Sequence, residues 1–131
     1  MGVTYLLDTH VLLWLHADVD RVPAHVRERL ADRANRLVVS AVSALEVAIK
    51  VRLGKLAASG LVDAWDRRTR DIGAETLPIG TEHALLAGGM DWAHRDPFDR
   101  LLVAQATIEG MTLVTVDSAL TGLPSPRVLR W

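Results

Sequence analysis

Four acidic residues stand where this sequence changes character. Asp8 ends the apolar run Thr4–Leu7, and Glu46 lies early in a helical stretch. Asp99 follows Asp96-Pro97, and Asp117 follows the run Met111–Val116. Carboxylates that converge repel one another, so they are either protonated or neutralised by a cation. The chain has no cysteine, and His10, His16 and His94 do not stand at a metal-ligand spacing. Oxygen donors without thiolate or imidazole point to a hard ion, Mg2+ or Mn2+. Such an ion lowers the pKa of water, orients a phosphodiester and stabilises charge on a leaving oxygen. The indicated chemistry is hydrolysis of a phosphodiester.

Each acid also has an ordinary structural role open to it. Glu46 completes an S-x-x-E capping box with Ser43. Asp99 sits three residues after the capping acid Asp96, where the helix dipole favours it. Asp117 precedes Ser118 and suits a turn. Asp8 is hardest to account for in this way, because an acid closing a buried strand needs a partner or an ion. Residue types and spacing alone leave both sets of roles open.

The elements that must position these acids alternate along the chain. Thr4–Leu7 predicts a strand and Val11–His16 a buried helix. Pro23 suits the first position of a helix running to about Ala34. Leu37–Val39 predicts a second strand, and a helix runs from Ser43 to about Leu53, closed by Gly54. Leu61–Asp71 predicts a helix, Glu75–Ile79 a third strand, and Thr81–Ala87 a short helix ending at Gly88-Gly89. Asp96-Pro97 opens a helix that stops at Gly110, Met111–Val116 is a strand, and Val128-Leu129 an edge strand. Alternating strands and helices favour a parallel α/β sheet covered on both faces. Strand carboxyl ends and helix N-termini then share one rim, the rim where open α/β sheets bind ligands. All four acids face it.

The 131 residues suit one domain spanning 1–131, without linker or repeat. Half of them are hydrophobic and the formal net charge is −1, which argues against tight non-specific binding of nucleic acid. The N-terminus lacks a basic region ahead of its apolar run, and no apolar stretch reaches about 20 residues, so neither a signal peptide nor a membrane span is expected. Absence of cysteine fits a reducing cytosol, and the expected location is cytoplasmic.

Leu6-Leu7-Asp8-Thr9-His10-Val11-Leu12-Leu13-Trp14 resembles the opening strand and loop of VapC-type PIN domains. The stretch from Val39 through Glu46 to Lys50, continuing to Leu56, resembles their second-acid segment. The stretch from His94 to Ala106 is similar to their third-acid helix, and Thr112–Asp117 to their last acid-bearing strand. Four such motifs in order cover nearly the whole chain. The resemblance implies a PIN-like α/β/α fold of four or five parallel strands ordered 3-2-1-4-5. It also implies a Mg2+- or Mn2+-dependent endoribonuclease, the toxin of a type II toxin–antitoxin pair. Its acids would be Asp8, Glu46, Asp99 and Asp117. Asp8 and Asp99 would bind the principal ion, Glu46 would bind through water or activate the nucleophile, and Asp117 would complete the first ion's shell or hold a second. The resemblance further implies a homodimer and a cognate VapB-like antitoxin whose tail lies over the site and brings an arginine to the acids. Leu45 departs from the family, where a bulky aromatic often precedes the second acid.

Around this site, Thr9, Lys50, Arg95 and Arg100 are the candidate RNA contacts, with Arg95 and Arg100 flanking Asp99. Glu46 with Lys50 is equally an ordinary i,i+4 pair. Thr9 and Thr115 suit hydrogen bonds that steady the acids, or equally a plain turn or strand role. A haloacid dehalogenase-type phosphatase would need an acid where His10 stands, and a receiver domain would need an acid pair ahead of its phosphorylated Asp. A PIN-like partner-binding module with little or no nuclease activity is the alternative, disfavoured by the presence of all four acids.

Overall fold

The computed structural model describes residues 2–131. Its strands are β1 (Thr4–Leu7), β2 (Arg36–Ser40), β3 (Ala74–Leu77), β4 (Thr112–Val114) and β5 (Val128–Leu129). They form one five-stranded sheet in the order β3-β2-β1-β4-β5, every pairing parallel. The expected sheet and strand order are therefore observed. The helices are α1 (Thr9–Ala17), α2 (Ala24–Ala31), α3 (Ala41–Arg52), α4 (Ser59–Asp63), α5 (Trp65–Asp71), α6 (Thr81–Gly89) and α7 (Pro97–Glu109).

Alternation along β1 divides the core between the two faces of the sheet. Tyr5 and Leu7 join Val39 and Val114 under α1 and α2, with Val11, Leu12, Val26 and Leu30. Leu6 joins Val38 and Leu113 on the other face, under Leu102, Val103 and Ala106 of α7 and Val42 of α3. Leu6 and Leu7 are both fully buried, each worth roughly 1.5–3 kcal/mol on leaving water. A strand buried on both faces reads as continuous apolar sequence, as Thr4–Leu7 does. Among the described residues, no helix is long and apolar enough to cross a membrane.

Several boundaries differ from expectation for identifiable reasons. Helix α3 begins at Ala41, capped by Ser40, whose hydroxyl accepts from the Val42 N–H at 3.0 Å. Ser43 lies inside the helix, so no Ser43–Glu46 capping box forms. Pro23 caps α2 instead of occupying its first position, and that helix ends at Ala31. The stretch Leu61–Asp71 is two helices, broken at Ala64 (φ −135°, ψ 44°). The break lets Leu61 pack with Val47 while the Trp65 indole donates to Thr76 at 3.0 Å. Strand β3 stops before Pro78, which has no N–H to pair. Helix α7 runs as expected to Glu109, and Gly110 closes it in the left-handed conformation (φ 67°).

Candidate active site

Strand order reverses between β2-β1 and β1-β4, so the carboxyl end of β1 is the switch point of the sheet. Asp8 occupies it. Its backbone N–H donates to the Val114 carbonyl at 2.9 Å, which extends the pairing with β4 by one residue. The side chain is 5% exposed, and its Oδ2 accepts from the Thr115 hydroxyl at 2.6 Å. That hydroxyl also accepts the Asp117 N–H at 3.1 Å, so one oxygen joins the ends of β1 and β4.

Glu46, 7% exposed, lies on α3, and its Oε2 accepts from the Lys50 ammonium at 2.6 Å. The first turn of α3 is tied to α1 by a 2.8 Å hydrogen bond between the hydroxyls of Ser43 and Thr9. Asp99 lies in the first turn of α7, where the Asp96 carboxylate caps the helix by accepting from the N–H groups of Phe98 and Asp99. Its Oδ2 lies 2.7 Å from His94 Nε2.

The charge of Glu46 reaches Asp8, and that of Asp8 reaches Asp99. Burial is the largest influence on Asp8 and pushes its carboxyl up; the Thr115 hydroxyl and His10 oppose that push, and Glu46 adds to it. Burial likewise raises Asp99 from the ordinary 3.8 to about 6, opposed by His94 and reinforced by Asp96 and Asp8. Both acids are short of positive charge. The Thr115 hydroxyl, Lys50 ammonium and His94 imidazole each engage one oxygen of Asp8, Glu46 and Asp99 respectively. Among the described residues no buried side-chain oxygen lacks a partner, so any oxygen of these acids without one is open to solvent. Carboxylates with raised pKa suit a hard divalent cation. Among the described residues the group of three whose donor atoms lie within 4.8 Å of one another is His94, Asp96 and Asp99; Asp8, Glu46 and Asp117 are not drawn into such a group.

The remaining expected site residues divide. Asp117 is exposed, and its Oδ1 caps a short 3-10 helix by accepting from the Ala119 N–H at 2.9 Å. Thr9 was expected at the substrate, but it is 3% exposed and its hydroxyl is spent on Ser43, so it joins two helices instead. Lys50 is half-buried against Glu46. Arg95 is exposed, with no side-chain hydrogen bond among the described residues. Arg100 was expected to contact RNA, but its guanidinium donates to four backbone carbonyls, those of Ala87, Met90, Trp92 and His94. Those bonds leave the Arg100 fork little capacity for a phosphate.

Sequence reasoning missed His94 as a partner of Asp99. Its position shortly before the capping pair Asp96-Pro97 was the available signal, because the chain turns there and brings the imidazole back over the first turn of α7.

A model of the PIN domain matches residues 5–124. Ribonuclease VapC22 of Mycobacterium tuberculosis (strain ATCC 25618 / H37Rv) is 30% identical over 128 residues, covering 95% of this chain and 95% of that protein. Two solved structures share the fold. VapBC2 from Rickettsia felis, bound to a promoter DNA fragment, superposes with a TM-score of 0.72 at 17% identity, covering 98% of this chain and 99% of that one. DNA-bound VapBC from Salmonella typhimurium gives 0.68 at 20% identity, covering 98% of each chain.

Proposed function

The chain belongs to the PIN-domain family, in its VapC branch, and from that premise we propose that it is a metal-dependent endoribonuclease and the toxin of a toxin–antitoxin pair. The observation that carries this reading is the pair Asp8 and Asp99, both raised by burial and close enough for the charge of Asp8 to act on Asp99, with Asp8 at the switch point of the sheet. Asp8 and Asp99 would hold the principal Mg2+ or Mn2+, and Asp117 would complete that set or serve a second ion. When bound, the ion supplies Lewis acidity toward a phosphodiester oxygen and eases deprotonation of water.

The chain's own groups do the rest. Thr115 and His94 each occupy one oxygen of an ion ligand and so restrict its rotation. Glu46 orients the attacking water and accepts its proton on Oε1, while Lys50 stays on Oε2. As water adds to phosphorus, the P–O bond to the leaving oxygen breaks, and that oxygen takes a proton from solvent. Arg95, exposed at the start of α7, contacts a phosphate of the RNA.

Partner binding follows from the same family reading. VapBC assemblies that share this fold support a VapB-like antitoxin as partner. Leu45 of α3 and Leu53, just past its end, are 52% and 50% exposed and supply apolar surface for its tail. An arginine of that tail takes the place of the missing positive charge. The same family reading implies a homodimer.

Incubation with a panel of structured RNAs tests the enzymatic claim. Cutting should require Mg2+ or Mn2+, stop with chelator, and fall by at least about a thousandfold in Asp8→Asn with the fold intact. Equal cutting by that variant points to a contaminating nuclease and overturns the assignment, and no cutting by the wild type with either metal favours a partner-binding module instead.

A further inference from the structure

We propose that Arg100 is a positioning residue for Asp99, acting through the segment 90–95 and His94. Residues 90–96 join α6 to α7 without regular structure. Arg100 Nε donates to the Ala87 carbonyl at 2.7 Å, inside the last turn of α6. Nη2 donates to the Met90 carbonyl at 2.7 Å, and Nη1 to those of Trp92 at 2.7 Å and His94 at 2.9 Å. One planar fork thus gathers four carbonyl dipoles from the end of a helix and the loop beyond it. Their partial negative charge satisfies the guanidinium, so its charge is spent inside the molecule.

The consequence for Asp99 runs through one residue. The carbonyl of His94 is held by Arg100 Nη1, its ring lies 4.8 Å from that of Trp92, and its Nε2 meets Asp99 Oδ2 at 2.7 Å. Trp92 is itself fixed by its carbonyl and by the Arg100 guanidinium 6.0 Å from its ring. Backbone and side chain of His94 are therefore both anchored, and Asp99 inherits that order in one of its two oxygens. A lysine here would carry the same charge, but its point-like ammonium cannot span the four carbonyls. This inference rests on Asp99 being an ion ligand. Its test separates the two claims.

Mn2+ is titrated by electron paramagnetic resonance into metal-free protein at pH 7.5 without RNA, for the wild type, Arg100→Lys, His94→Ala and the double variant. The His94 Nε2–H proton is followed by NMR. Arg100→Lys should lose that proton's hydrogen-bonded signal and bind Mn2+ about 10-fold more weakly, as expected for loss of support to a ligand. His94→Ala should weaken Mn2+ to a similar degree, and the double variant should be no weaker than the weaker single. His94→Ala also serves if Arg100→Lys fails to fold, because it leaves the guanidinium fork in place; wild-type affinity in that variant overturns the inference. So does wild-type affinity in Arg100→Lys. If the wild-type protein binds no Mn2+, the nuclease reading falls and this inference with it.

Discussion

Asp99 is held at about 6, well above its ordinary 3.8, because burial and the neighbouring Asp96 and Asp8 disfavour its charge more than His94 restores it. A carboxyl raised in the folded state favours folding at low pH and costs stability once it ionises there. For the metal-free protein the penalty from Asp99 is absent below pH 3.8, grows between there and about pH 6, and is complete above. Discounted for solvent screening it is on the order of 1 kcal/mol, about 4 °C in Tm for a chain of this size. Asp99→Asn should therefore raise the Tm measured in chelator at pH 7.5, and raise it much less at pH 4.5, where only part of the penalty has developed. An unchanged or lower Tm at pH 7.5 would mean that the charge is already compensated. Asp8 is raised in the same direction, and the Thr115 hydroxyl is what holds it back most.

At the scale of elements, the acids are placed by helix starts and by the bonds that join them. Ser40 caps α3 through Val42 and gives its hydroxyl proton to the Gln105 side chain of α7, so the helices bearing Glu46 and Asp99 are coupled at a fully buried point. Ser40→Ala removes both bonds and leaves Gln105 short of a partner. It should cost about 2 kcal/mol in urea unfolding, against roughly 1 for a cap alone. A cost under about 0.5 kcal/mol would show that the coupling contributes little. Much of this was legible in the residues. The apolar run before Asp8, the Asp96-Pro97 start and the alternation of strands with helices led to the parallel sheet and to one rim for the acids. The Ser43-x-x-Glu46 pattern misled because local spacing cannot reveal that Ser43 bonds Thr9, 34 positions away. Arg100 was not legible in the same way: local sequence shows a charge beside an acid, and only the fold brings four carbonyls around it.

For the molecule as a whole, the β3-β2-β1-β4-β5 order is what turns residues far apart in sequence into neighbours. It sets Asp8 beside the end of β4, and the helices that follow β2 and precede β4 bring Glu46 and Asp99 to the same rim. A net charge of −1 leaves little general attraction for RNA, so on the proposed reading the site itself would have to supply the positive charge that a phosphodiester needs. The most direct test is calorimetric titration of Mn2+ into metal-free wild type, Asp8→Asn and Asp99→Asn at pH 7.5, repeated at pH 5. The wild type should bind at pH 7.5, weaken as Asp99 protonates below about 6, and lose most of its affinity in either variant. Undiminished binding in the variants would contradict the account, as would a wild-type protein that binds no ion at either pH.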